Sequence, residues 1–258
     1  MNRVRGTLAA GTAGLLLVGA LLTVPLPVSE LTPPPSTWVT DSGGGTLRVY
    51  VNSRGDFHRP VTLEEVSPFL IASTTAFEDR FFRRHPGINP FSVLRAAWQN
   101  LLAGEVVSGG STLTQQVARL MDPAPRTLGA KMVEAFRALQ LELRFSKDEI
   151  LTHYFNLAPY GGNLVGVGAA AWAYFGKAPS ELSPGEAALL SALPNNPASL
   201  RPDRDPGAAR ARRDEVLRRM RARGIVDEVR YRNALTEPVP ERRRPLPMYA
   251  PHAGDMVR

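Results

Sequence analysis

The 258-residue sequence has no cysteine. That absence excludes disulfide cross-links and thiolate metal ligands, and leaves the redox compartment undetermined. No dedicated cluster of metal-ligating side chains is visible either, and no segment repeats at a solenoid period. Acidic residues are in deficit: 24 Asp and Glu face 31 Lys and Arg, mainly arginine, for a formal net charge of +7. Such a surplus suits polyanionic partners, whether nucleic acid, anionic lipid headgroups or pyrophosphate, and does not choose among them. The 43% hydrophobic content is enough for a real core.

Only one long apolar run is present. Arg3 and Arg5 precede the uncharged stretch from Thr7 to Val24, which approaches the roughly 20 residues of a bilayer crossing. Its length favours a retained anchor over a cleaved signal peptide, although Pro25 and Pro27 follow closely. Basic residues before the run favour a cytoplasmic N-terminus, with everything beyond residue 30 outside the membrane.

The chain divides into an anchor at 1–28, a Pro/Gly-rich linker at 29–45 acting as a stiff spacer, a β-hairpin at 46–62, a helical domain at 63–236 and a Pro/Arg-rich linker or tail at 237–258. The hairpin pairs Thr46–Val51 with Asp56–Val61 around Asn52-Ser53-Arg54-Gly55. Helix starts are marked at Ser67, Asn89, Ser146 and Ser183. After Asn89, the spacing of Phe91, Leu94, Trp98, Leu101 and Leu102 before Gly104 predicts an amphipathic helix with this stripe in the core. From Thr127 to Arg144, Leu128, Val133, Phe136, Leu139 and Leu143 predict a second apolar side, while Lys131 and Glu134 share another. A further helix spans Gly185 to Leu193, followed by a Pro/Asn-rich loop. The arginine-rich helix at Ala208 to Arg223 reads first as a solvated face, with seating on anionic headgroups as the functional alternative.

Two segments carry chemistry. In FEDRFFRRHPG (Phe77 to Gly87), Glu78 and Asp79 adjoin aromatic and cationic side chains, and an ordinary ion pair with the local arginines is the bland reading. In SGGSTLTQQVARL (Ser108 to Leu120), two glycines precede a row of short donors at a helix start, a place that favours anions but is equally an ordinary N-cap by Ser111 or Thr112.

Taken together these segments resemble the family 51 glycosyltransferases, the polymerase modules of class A penicillin-binding proteins. Glu78, Asp79, Phe82, His85 and Gly87 match the first motif, and Gly109 to Gln116 the second. Lys131 and Glu134 match the third, with Ala130 where the family has arginine. Lys147, Ile150, Leu151, Tyr154 and Asn156 match the fourth, and Arg213, Val216 and Leu217 the fifth. GGSTLTQQVARL, RALQLELRFSKDEIL and GAAAWAYFGK look most like the C-type members.

The resemblance implies a mainly α, lysozyme-like glycosyltransferase fold with a large helical lobe and a smaller lobe, preceded by the β-hairpin and an N-terminal transmembrane helix. It implies polymerisation of lipid-linked disaccharide-pentapeptide (lipid II) with inversion and release of undecaprenyl pyrophosphate. The implied setting is the outer, periplasmic face of the cytoplasmic membrane. Glu78 would be the catalytic base and Glu134 the second catalytic carboxylate, on the leaving-group side. Asp79, Phe82, His85, Ser111, Thr112, Gln115, Gln116, Arg119 and Lys131 would form the substrate-binding set. His85 is read as shaping the loop near Glu78, and Arg126 as the replacement for the arginine lost at Ala130.

A divalent cation, Mg²⁺ or Mn²⁺, is left open. Expected partners are lipid II, the growing lipid-linked glycan, the membrane and other cell-wall synthesis proteins, with no nucleic acid. The S-x-x-K and K-T-G motifs of a transpeptidase are missing, so the chain covers the polymerase half, and its Pro-rich end favours a fragment. The competing readings are a lysozyme-like lytic enzyme and an inert cell-wall scaffold.

Overall fold

The computed structural model describes residues 18–105, 109–125 and 127–245, together with Leu16, Pro247 and Tyr249. Most of the Thr7–Val24 run, Ser108 and Arg126 lie outside these residues, as does the expected crossing helix. Among the described residues no helix is long and apolar enough to cross a membrane.

Among the described residues the chain is mainly helical with four short strands. β1 (Thr37–Thr40) and β2 (Thr46–Tyr50) form an antiparallel hairpin, whereas β3 (Phe57–His58) pairs in parallel with β4 (Leu164–Val165). The expected partner of Thr46–Val51 is therefore corrected, and part of the supposed spacer is strand. The reason is local: Asp41 Oδ1 accepts from the Gly43 and Gly45 backbone N–H groups, at 2.8 Å each, and Gly44 takes φ +82°. The glycine run is thus the hairpin turn, since only glycine adopts that φ without strain. Trp38 of β1 then packs edge-on against Trp172, 5.2 Å between ring centres.

Nine α-helices follow among the described residues: α1 (Pro68–Glu78), α2 (Pro90–Ala103), α3 (Leu113–Met121), α4 (Leu128–Arg144), α5 (Lys147–Leu157), α6 (Val167–Phe175), α7 (Pro184–Ala192), α8 (Pro206–Ala222) and α9 (Glu228–Thr236). Each expected start residue, Ser67, Asn89, Ser146 and Ser183, is the N-cap of its helix. α3 packs on α4 and α5, and α7 is sandwiched by α1 and α8. The main core runs through Leu70, Leu113, Val117, Leu141, Ile150, Phe155 and Leu190, and a smaller one joins α7, α8 and α9 through Ala188, Val216, Leu217 and Met220.

The predicted core face of α2 is not core, and the predicted apolar side of α4 is largely turned outward. Phe91, Leu94, Trp98 and Leu101 of α2 are exposed, at 83%, 69%, 62% and 75%. Periodicity identifies an apolar face but not what covers it. In α4 the buried positions are Glu134, Ala138, Gln140 and Leu141, while Leu128, Val133 and Leu143 face outward. Buried Gln140 donates from Nε2 to the carbonyls of Leu21 and Val24, at 3.1 and 2.8 Å, closing the end of the helical residues 18–23.

The described start of the Pro/Arg-rich tail is docked on the helical domain. Arg244 N–H donates to Ala173 O at 2.8 Å, and Arg243 Nη2 to Gly161 O at 2.8 Å. Arg213, only 1% exposed, is the structural arginine of the arginine-rich helix. Its guanidinium donates to the carbonyls of Glu237 and Leu235 and to Asp214, satisfying the C-terminal end of α9. Arg213→Ala should lower stability by about 3 kcal/mol or more, read as a denaturation midpoint. Arg213→Lys should recover only part of that, because an ammonium cannot span both carbonyls.

Candidate active site

Asp79, at the C-cap of α1, fixes the geometry. Its carboxylate is buried, accepts from the Leu113 N–H at the first position of α3 at 3.0 Å, and meets His85 Nε2 at 2.9 Å. A carboxylate at a helix N-terminus is favoured by the orphan N–H groups and the dipole. The end of α1 is thereby clamped to the start of α3, and Glu78 is left beside Gln116. Gly87 completes the loop: it takes φ +85°, and a Cβ there would meet Ala138 O of α4 at 2.9 Å.

Glu78 accepts from Gln116 Nε2 at 3.0 Å on one oxygen and from Asn195 Nδ2 on the other. Burial pushes its pKa above the ordinary glutamate value, a shift opposed by those two hydrogen bonds and by the charges of Arg212 and Arg219. It faces a cavity of about 360 Å³ lined also by Phe77, Arg95, Ser111, Gln116, Arg119, Asn195, Arg212 and Arg219. A carboxylate that retains its proton affinity sits in a chamber walled by guanidinium groups.

A second charged group adjoins this chamber. Lys131 Nζ donates to Ser111 Oγ at 3.0 Å and to Glu134, whose carboxylate is largely buried. Ser111 thus links the Lys131–Glu134 pair to the cavity. Among the described residues no three carboxylates or imidazoles converge as metal ligands.

The other sequence candidates hold the frame. Thr112 is the N-cap of α3, accepting from Gln115 N–H at 3.1 Å, while Gln115 Oε1 accepts back from Thr112 N–H at 3.0 Å. The Thr112 hydroxyl and the Gln115 Oε1 are engaged in this capping box. Phe82 is fully buried under Lys147, whose ammonium lies 4.6 Å from the ring centre and donates to His85 O at 2.7 Å. His85 pairs with Asp79 rather than with Glu78.

Sequence reasoning missed Phe77, Arg95, Asn195, Arg212 and Arg219. A signal existed for two of them: Glu215 lies three residues after Arg212 and four before Arg219, the spacings at which helical ion pairs form. Both pairs are present. Asn195 sits in a short 3₁₀ turn (Leu193–Asn195) within what reads as a loop, and nothing local points it at Glu78.

The transglycosylase family matches residues 46–221. Over 253 residues the chain is 49% identical to penicillin-binding protein 1C of Escherichia coli, covering 97% of this chain and 33% of that one. It is 38% identical over 230 residues to penicillin-binding protein 1A of Aquifex aeolicus, covering 88% and 31%. The chain thus spans about a third of the length of these relatives. A crystal structure of penicillin-binding protein 1A from Haemophilus influenzae aligns over 88% of this chain and 24% of that one, at 19% identity and a TM-score of 0.47.

Proposed function

Because the chain belongs to the transglycosylase family, we propose that it is a peptidoglycan glycosyltransferase of the C-type, joining lipid-linked disaccharide units into glycan at the outer face of the cytoplasmic membrane. One observation carries this reading above all: a glutamate with raised proton affinity, Glu78, faces a chamber lined by Arg95, Arg119, Arg212 and Arg219. A lytic hydrolase needs the carboxylate but has no use for the cations. A transferase whose leaving group is a pyrophosphate needs both.

In the proposed reaction Glu78 takes the proton of the acceptor 4-hydroxyl as that oxygen bonds to C1 of the donor sugar. The C1–O bond to pyrophosphate breaks on the opposite face, and undecaprenyl pyrophosphate leaves with the electron pair. Inversion requires base and leaving group to flank the sugar. Ser111, Lys131 and Arg119 supply the donors for the departing phosphates, and Glu134 holds the Lys131 ammonium toward Ser111. Gln116 orients Glu78. Asp79, Phe82, His85, Thr112 and Gln115 act by holding this arrangement rather than by touching substrate.

The lipid tails of both substrates call for a cleft that opens at the bilayer. The outward apolar face of α2 suits insertion there, since the same helix brings Arg95 to the cavity. α2 with the start of α4 would then form the smaller lobe of a lysozyme-like fold.

Incubation with lipid-linked disaccharide-pentapeptide should yield glycan polymer on a gel; absence of polymer from folded protein overturns the reading. The pH dependence has a definite sign. Glu78 works only when ionised, so the rate falls as pH drops through its raised pKa. The acid limb should therefore lie above the usual glutamate value of about 4.3. Arg219→Ala removes a charge that favours the carboxylate and should move the limb of kcat higher still.

A further inference from the structure

Arg212 and Arg219 stand on α8 and line the cavity against Phe77, next to Glu78, whereas Lys131, bonded to Ser111, stands on α4. Each guanidinium is held twice. Arg212 lies 4.7 Å and Arg219 4.5 Å from the centre of the Phe77 ring, and the two oxygens of Glu215 take one N–H from each. A guanidinium has five donors, so both retain N–H groups beyond those used on Glu215. Two neighbouring cations join them: Arg223 loses basicity through partial burial and through the charges of Arg80 and Arg219 beside it. Like charges assembled at a cavity wall repel one another, and tethering two of them to a ring and a carboxylate fixes them there before any ligand arrives.

We propose that Arg212 and Arg219 form a second anion site, on the base side of the cleft, which takes the phosphate groups of the incoming acceptor. The inference rests on the glycosyl-transfer reading. The donor's pyrophosphate must lie opposite the base, yet the acceptor is lipid-linked too, and its own phosphates have to be neutralised while its hydroxyl reaches Glu78. Forked guanidinium groups suit phosphate oxygens, which they bind in pairs. The site also couples binding to chemistry. An anion docked there cancels the two charges that hold the Glu78 pKa down, so the base gains proton affinity as the acceptor arrives.

The test varies an acceptor against a fixed lipid-linked oligosaccharide donor whose own 4-hydroxyl is blocked. With Arg212→Gln/Arg219→Gln, the KM for a pyrophosphate-linked acceptor should rise about ten- to a hundredfold, with the donor KM unchanged. The rise should be smaller for a monophosphate-linked acceptor and undiminished for an acceptor without its peptide. A loss of kcat alone, an equal loss for every acceptor, or an effect that vanishes with the peptide carboxylates overturns the proposal. A second measurement does not depend on turnover. Inorganic pyrophosphate titrated calorimetrically into Lys131→Gln protein should bind, and the two added Arg→Gln changes should abolish that binding. Retained binding counts against the site, whereas its loss in the variant, paired with a parent protein that makes no polymer from lipid-linked disaccharide-pentapeptide, would uphold the anion site and sink the polymerase reading.

Discussion

Glu78→Gln should reduce polymerisation by about two to four orders of magnitude, the usual contribution of a positioned general base, while the protein stays folded. The amide keeps an oxygen for Gln116 or Asn195, but it cannot accept the hydroxyl proton. Stability gives an independent reading of the same residue. A carboxyl whose folded pKa is raised binds more protons folded than unfolded, so its effect on stability becomes unfavourable as pH rises from the ordinary glutamate range through the raised value. The stability of Glu78→Gln relative to the parent should therefore improve with pH across that window, and the two should differ least in acid. Denaturation midpoints across that range, paired with gel assays of polymer, check both. Equal polymer from the variant would sink Glu78 as the base.

Asp79→Ala should be the most damaging single change to the frame. It removes the acceptor of the Leu113 N–H and leaves His85 buried without its partner. Each buried polar group left without its partner typically costs about 1–3 kcal/mol. The chemistry should suffer beyond that, because Gln116 and Glu78 meet only while α1 and α3 are clamped end to end. Displacements of about 1 Å at a reacting centre can cost roughly a hundredfold. Asp79→Asn keeps an oxygen for Leu113 and should fall between parent and alanine variant in both midpoint and rate. An alanine variant with a normal midpoint would show that the clamp contributes nothing.

How much of this was legible in the sequence depended on whether the cause was local. The helix starts were readable because Asn89, Ser146 and Ser183 cap their own next turn, within three residues, and because a proline follows Ser67 at the first helical position. Glu78 and Gln116 were legible as motif members, but not their contact, which Asp79 creates through the backbone of another helix. The hairpin was misplaced because residues 42–45 look like linker in composition, while the deciding fact is what the Asp41 side chain does with their N–H groups. Apolar spacing in α2 gave the helix and could not give its surroundings. Arg213 and Arg212 are neighbours on α8, one buried against the end of α9 and one facing the cavity; no pattern in a run of arginines separates them.

The Gln140 grip on Leu21 and Val24 has a mechanical consequence. Gln140 and Glu134 belong to one continuous helix, about 9 Å apart along its axis at roughly 1.5 Å per residue. The Lys131–Glu134 pair beside the Glu78 cavity and the end of the helical residues 18–23 are thus two marks on a single rigid rod. Whatever plane that helix settles in, the chamber follows at a constant offset, so α4 acts as a depth gauge and the proline-rich stretch after residue 24 need not set the height.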